Sequence, residues 1–218
     1  MDKKEIQRRR MMSYFIDAAK QIIEEEGLEG ITVRKVADIA GYNSATLYNY
    51  FENLDHLVFF ASMQHLRDYV QDLPNYLNSA SNALDKYLKI WKCFAYHSFH
   101  NPKIYHLIFF DKFKGFLNDA VKEYYRIFPE ELGESSEELM PMLLENNIYA
   151  RDLAALQSCV AEGVIKKENI YLINEMNVLL YQGMLQRIIN DQLNYSVDEA
   201  IEHLLNYIRQ VIKSYQIT

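Results

Sequence analysis

ITVRKVADIAGYNSATLYNYFENLDHL, residues 31–57, reads as two short helices joined by a tight glycine turn. Counting from Val33 as the first position, Ala37 stands fifth, Gly41 ninth, Leu47 fifteenth and Tyr50 eighteenth. Ala37 is small because the second helix crosses close above it. Gly41 stands where the chain leaves the first helix, and glycine takes φ > 0 there without strain. Val36, Ala40, Leu47 and Tyr50 can close a small core between the two helices. A pair of this geometry lays its second helix in the DNA major groove. Glycine-turned helix pairs also occur in proteins that never touch DNA, so the outward side chains carry weight. On the second helix they are Tyr42, Asn43, Ser44, Thr46, Tyr48 and Asn49, uncharged donors and acceptors suited to base edges and phosphates. Tyr50 is expected to be partly buried, with its hydroxyl still available. Thr32 can cap the first helix. Arg34 and Lys35 then fall in its first turn, where free backbone N–H groups and cations favour a phosphate.

The neighbouring residues extend the pattern. Ala18-Ala19, Glu25-x-Gly27, T-V-x-x-V-A-x-x-A-G at 32–41 and T-L-Y-x-Y-F at 46–51 occur in order. Together these motifs make residues 15–57 resemble the N-terminal domain of TetR-family transcriptional regulators. The resemblance covers about one fifth of the chain strongly. It implies an all-α protein, with a three-helix helix-turn-helix DNA-binding domain at 1–52 and a larger helical bundle at 53–218 for effector binding and dimerisation. It also implies a cavity for a small molecule and a double-stranded DNA operator as partner. The chain departs from the family at Leu54, where a lysine is usual, so that phosphate contact is missing or replaced.

Composition agrees with a helical protein. Of 218 residues half are hydrophobic, with only 7 Gly and 4 Pro, which favours long helices over a turn-rich β fold. Cys93 and Cys159 make no disulfide framework. They sit among apolar residues as buried thiols, which suits a cytoplasmic location. No apolar stretch follows the charged N-terminus as a signal peptide would require, and no apolar run reaches the ~20 residues that span a bilayer. Net charge is −7. Residues 1–51 hold eight basic and eight acidic side chains, so the whole surplus comes from residue 52 onward, with fifteen basic and twenty-two acidic. The head is therefore not the basic domain expected of a nucleic-acid binder. Its cations cluster: Lys3, Lys4, Arg8, Arg9 and Arg10 open the chain and could reach a phosphate backbone or a minor groove, or form a solvated end.

Periodicity predicts a helix over 1–27, with Asp2 and Glu5 as a capping pair and Gly27 as a C-cap. Helices follow at 53–73 (ended by Pro74), 79–100, 101–110, 115–128, 139–146, 149–164, 168–191 and 197–215. The acidic stretch 130–138 reads as a surface loop. Ser135 with Glu138, and Ser196 with Glu199, read as capping boxes.

The helix beginning at Glu168 is apolar on nearly all sides and must bury more than one face. Gly183 would permit a close approach. The expectation is a four-helix interface in a homodimer, made by this helix and the last one, through Met176, Leu180, Gly183, Met184, Leu204, Ile208 and Val211. A central core helix in a monomer is the alternative. Polar groups on inward-leaning faces suggest a largely apolar cavity with a few polar anchors. Its expected lining is Phe60, Met63, Gln64, Trp91, Phe94, His97, Phe109, Asn174 and Asn177, and its expected occupant is an apolar or aromatic effector.

The resulting expectation is a regulator, with repression the favoured sign because the acidic body holds no recruiting segment. The alternatives are a helical small-molecule or partner-binding protein without DNA binding, and an enzyme. His97, His100 and His106 could in principle hold zinc. No carboxylate completes a familiar metal motif, and no phosphate loop, G-x-S-x-G or catalytic cysteine setting is present. No catalytic residue, metal ligand or cofactor is assigned.

Overall fold

A computed structural model of the chain describes residues 2–110, 120–133, 137–145 and 147–217. The described elements are α1 (Lys3–Glu26), α2 (Val33–Ala40), α3 (Ser44–Leu47), α4 (Leu54–Leu77), α5 (Ala83–His100), α6 (Pro102–Phe110), α7 (Ala120–Ile127), α8 (Met140–Leu143), α9 (Ile148–Ala161), α10 (Ile170–Ile189) and α11 (Val197–Ser214). The chain is all-α, with no strand among the described residues.

Local chemistry sets the helix starts. Asp2 and Glu5 form a reciprocal capping box on α1, and Ser196 and Glu199 form one on α11. Thr32, Asn43, Asn53, Asn82 and Asn147 each accept a backbone N–H at the head of a helix, satisfying donors that would otherwise be orphaned. Gly41 closes α2 at φ 77°, ψ 26°, the left-handed conformation its position demands.

Two predicted boundaries move. α4 does not stop before Pro74 but runs through it to Leu77. Proline there removes one backbone donor close to the helix end, and the N–H of Asn78 still reaches the Pro74 carbonyl at 3.0 Å, so the last turn holds. α5 starts at Ala83 rather than near residue 79. Asn82 accepts the Asp85 N–H at 2.9 Å while Asp85 reaches back to Ser81, which fixes the start at the asparagine. The first part of the predicted 115–128 helix and Ser135 of the predicted capping box lie outside the described residues. Within the acidic stretch, Pro129–Leu132 forms a single tight turn.

α1, α2 and α3 form the N-terminal head, and α4 packs on α1 with one end and on α5 and α6 with the rest. α5, α9, α10 and α11 form the bundle behind it. The apolar core runs unbroken from head to body. An aromatic chain makes the join: Phe15 meets Phe51 edge-on, Phe51 meets Phe60, and Phe60 meets Tyr124 of α7 at 5.4 Å between centroids. The core is therefore continuous across the expected boundary at residue 52. Cys93 and Cys159 are free and buried.

Candidate nucleic-acid interface and ligand cavity

α2 and α3 cross with Val36, Ala37 and Leu47 buried between them and the rest of the head. Ala40 and Tyr50 are half-buried at the edge, so the expected small core closes. This leaves Tyr42, Asn43, Tyr48 and Asn49 exposed and Ser44 and Thr46 half-exposed on one face. Tyr48 projects furthest, with 55% of its surface open. Tyr42 leans back onto the rings of Tyr14 and Phe15, and Tyr50 onto Phe15. These contacts pack the two rings against α1.

Four sequence assignments change in character. Asn43 Oδ1 accepts both the backbone N–H and the hydroxyl of Thr46, at 2.9 and 3.0 Å. Asn43 and Thr46 are thus engaged in starting α3, and the Asn43 amide nitrogen, the Thr46 methyl and the acceptor lone pairs of the Thr46 hydroxyl remain free to touch a base. Thr32 spends its oxygen on Lys35 N–H at 3.2 Å. The Lys35 ammonium is held by Glu26 at 2.5 Å, whereas Arg34 is almost fully open, with an Asp38 carboxylate at 3.9 Å as its ion-pair partner among the described residues. Arg34 is the cation best placed for a phosphate.

The basic N-terminus is also partly spoken for. Arg8 pairs with Glu123 of α7 at 3.5 Å, and Arg9 pairs with Glu130 while lying over the Phe128 ring. Lys3, Lys4 and Arg10 stay exposed. Arg8 and Arg9 therefore tie the head to the body instead of reaching outward, because acidic residues far away in sequence come beside them. His56 sits at this junction, and burial holds its pKa below the usual histidine range.

The body contains a small cavity of about 20 Å³ among α4, α5 and α9, room for roughly one water. Of the expected lining, Trp91 and Phe94 are in its wall. Phe109 packs on Phe94 at 5.4 Å. Asn174 and Asn177 stand behind the wall, where Asn174 donates to Asp152 at 3.0 Å and Asn177 to the Tyr87 hydroxyl at 2.8 Å. Phe60, Met63, Gln64 and His97 belong elsewhere. Phe60 fills the head–body junction, Met63 is buried outside the cavity wall and the Gln64 amide donates to Asp17 of α1 at 3.3 Å. His97 meets Asp72 at 3.0 Å. α4 is buried on two sides, and a stripe read from sequence does not tell which side faces α1 and which faces α5.

Two side chains at the cavity were missed: Arg151, 3% exposed, and Asp152, 4% exposed. Asp152 Oδ1 accepts from Tyr87 Oη at 2.7 Å and Trp91 Nε1 at 2.8 Å. Burial pushes its pKa up to about 7, against the pull of these donors and Asn174. Tyr87 is pushed well above its ordinary value by burial and by Asp152. A signal existed in the sequence. Ile148, Arg151, Asp152, Ala155, Leu156 and Cys159 recur at helical spacing, which places the charged pair on the buried face of α9.

A small solvent-facing helix lying across a glycine-turned partner is the arrangement of a helix-turn-helix domain. Residues 15–59 match the family model for bacterial regulatory proteins of the tetR family. The whole fold agrees. A Mesorhizobium loti protein assigned to the TetR-family transcriptional regulators superposes with TM-score 0.59 at 16% identity, over 99% of this chain and 100% of that one. A protein of unknown function from Rhodococcus sp. RHA1 gives 0.60 at 13% identity, over 95% and 96%. A TetR-family transcription regulator from Marinobacter aquaeolei VT8 gives 0.54 at 15% identity, over all of both chains. None of the curated proteins compared with the chain matches it. No helix among the described residues is long and apolar enough to cross a membrane.

The expected dimer residues divide. Leu204 and Ile208 are fully buried inside the subunit, and Met184 and Val211 nearly so. Leu204, Ile208 and Val211 belong to the face of α11 packed on α5 and α10, and Met184 lies against the Tyr195 hydroxyl. Met176 and Leu180 are half-buried and Gly183 is exposed. The apolar side chains that α10 and α11 turn outward are Tyr171, Leu172, Leu179 and Tyr207. The sequence stripe of α11 is its inward face, since a helix shows its cleanest apolar face to its own core.

Proposed function

We propose that the protein is a homodimeric repressor that leaves a double-stranded DNA operator when a small organic effector enters its body. The observation that supports this best is the exposed face of Tyr42, Ser44, Tyr48 and Asn49 beside the open Arg34, presented by a head whose core is continuous with the body. Residues 1–52 bind DNA in this reading, and residues 53–218 bind effector and partner. Base edges are read by Tyr42, Ser44, Asn49 and the free groups of Asn43 and Thr46. Phosphates are held by Arg34, Tyr48, Tyr50 and the backbone N–H groups of α2. Lys35 contributes once it exchanges Glu26 for a phosphate.

Dimerisation sets the spacing of two such faces near one DNA turn, roughly 34–36 Å. The seam is the outer face of α10, where Leu172, Met176, Leu179, Leu180 and Gly183 recur at helical spacing, together with Tyr207 of α11. Leu179 is 54% exposed in the single subunit, and a contiguous exposed apolar stripe of this kind marks an interaction surface. The effector favours a body conformation that the Arg8–Glu123 and Arg9–Glu130 ties and the Phe51–Phe60–Tyr124 contacts pass to the head. It acts by its differential affinity for the two states.

Selection of bound sequences from a random DNA pool, followed by anisotropy titration of the winner, tests the DNA reading. Saturable, sequence-selective, salt-dependent binding is expected, and uniform weak binding to every sequence would overturn it. Light scattering at micromolar concentration should give twice the 25.8 kDa subunit mass.

A further inference from the structure

Arg151 is the feature of the body that its packing does not explain. Its guanidinium is buried, and desolvating a cation is costly unless it is fully paired. One side is paired: Nη1 donates to the carbonyls of Leu143 at 3.2 Å and Glu145 at 3.5 Å, tying α9 to the end of α8. The faces are covered by the rings of Tyr69 and Phe109 at 5.8 and 5.5 Å, a favourable cation–π arrangement. Nη2 has no acceptor among the described residues. Among the described residues no carboxylate forms an ion pair with the guanidinium either. Asp152 follows it in sequence but turns its two oxygens to Tyr87, Trp91 and Asn174. A cationic ligand would find that carboxylate already engaged, whereas an anionic one finds a free donor.

Arg151 lines the small inner cavity, which borders a cleft open to the surface. Ile90, Met142 and Ala155 line both the small inner cavity and a cleft of about 340 Å³ between α5, α8 and α9. The volume suits a small organic ligand. Its walls are mainly apolar, and the ion pair of Lys86 and Glu138, 2.5 Å apart, stands at its rim. The inner cavity holds one water at most, so the head of a ligand reaches Arg151 only as Met142 and Ile90 give way.

We propose that this cleft takes a small organic carboxylate with an apolar acyl or aryl body, its carboxylate on Nη2 of Arg151 and its body along α5 and α9. The inference rests on the effector-controlled reading above and narrows it to one ligand class. An anion supplies the acceptor that the buried donor lacks, and an arginine fork suits a carboxylate.

Trp91 is the only tryptophan of the chain and stands in the cavity wall, so its fluorescence reports occupancy without a label. The whole protein is titrated with decanoate, decanamide and decanol, and with 4-phenylbutyrate and its amide. The carboxylates should shift the Trp91 signal at concentrations roughly tenfold or more below their neutral analogues, the factor expected of a charge-assisted hydrogen bond. Arg151→Met, checked for native helicity and melting, should abolish the preference and bind acid and amide alike. Wild-type protein that binds acid and amide equally, or binds neither acid, overturns the proposal; so does an Arg151→Met protein that keeps the preference. If that variant does not fold, the wild-type ligand series still decides. A separate anisotropy measurement keeps the two ideas apart. Carboxylate binding that leaves operator affinity unchanged removes effector control while the site chemistry stands, and release by neutral ligands alone does the reverse.

Discussion

Asp152 gives the body a pH dependence whose sign opposes that of ordinary surface carboxylates. Its pKa is about 7 in the folded protein against an ordinary value of 3.8, a gap of roughly three units at about 1.4 kcal/mol each, or about 4 kcal/mol. Below pH 4 the group is protonated in both states and contributes nothing. As pH rises the unfolded chain ionises while the folded chain holds its proton, so the unfolded state gains. Stability from this group falls by up to about 1.4 kcal/mol per pH unit and levels off above pH 7. Asp152→Asn removes the titration. Its amide also meets the donor of Asn174, which adds a constant offset. Urea unfolding of both proteins at pH 4.5, 6.0 and 7.5 isolates the effect, since all other groups cancel in the difference. Relative to the variant, the wild type should lose about 3–4 kcal/mol between the outer points. A difference that stays constant to within about 1 kcal/mol would mean that Tyr87, Trp91 and Asn174 keep Asp152 ionised throughout, and that its three hydrogen bonds outweigh its burial.

Other perturbations test the head and its junction with the body. Arg34→Ala should weaken binding to all DNA sequences alike and lower the salt slope of log K by about 1, measured by anisotropy over a salt series. Asn43→Ala removes the cap of α3, and a loss of about 1 kcal/mol in stability should accompany weaker binding to every sequence; a change in sequence preference at unchanged stability would return Asn43 to base reading. Gly41→Ala meets open space at its new Cβ, so its cost is the left-handed backbone alone, about 1–2 kcal/mol, or a fall in Tm of roughly 2–8 °C by calorimetry. Phe60→Ala should cost about 3–5 kcal/mol by urea melt, and it should loosen the coupling of head and body because Phe51 and Tyr124 lose their shared neighbour.

Sequence by itself determined the parts of this protein governed by near neighbours in the chain. The α2–α3 turn was legible because a glycine at a fixed distance from small and apolar residues is a local geometric demand. The capping boxes at Asp2 and Ser196 were legible because donor and acceptor lie three residues apart. The outward face of Tyr42, Tyr48 and Asn49 followed from helical period once Leu47 was taken as core. Only tertiary structure decided what a buried stripe faces. Gln64 turns to Asp17 of α1 and Phe60 fills the junction of head and body, while Trp91 and Phe94 line a cavity, yet period alone gives all four the same appearance. The clean stripe of α11 packs inward on α5, which leaves Leu172, Leu179 and Tyr207 outside. The charges of the head were rearranged in the same way, as Glu26, Glu123 and Glu130 came to lie beside Lys35, Arg8 and Arg9. Arg151 stands as a buried cation with a spare donor because Tyr69, Phe109 and the end of α8 at Leu143 and Glu145, from three separate parts of the chain, meet around it. Period fixes which face of a helix is buried, but long-range packing chooses its partner, and the chemistry of a site belongs to the partners.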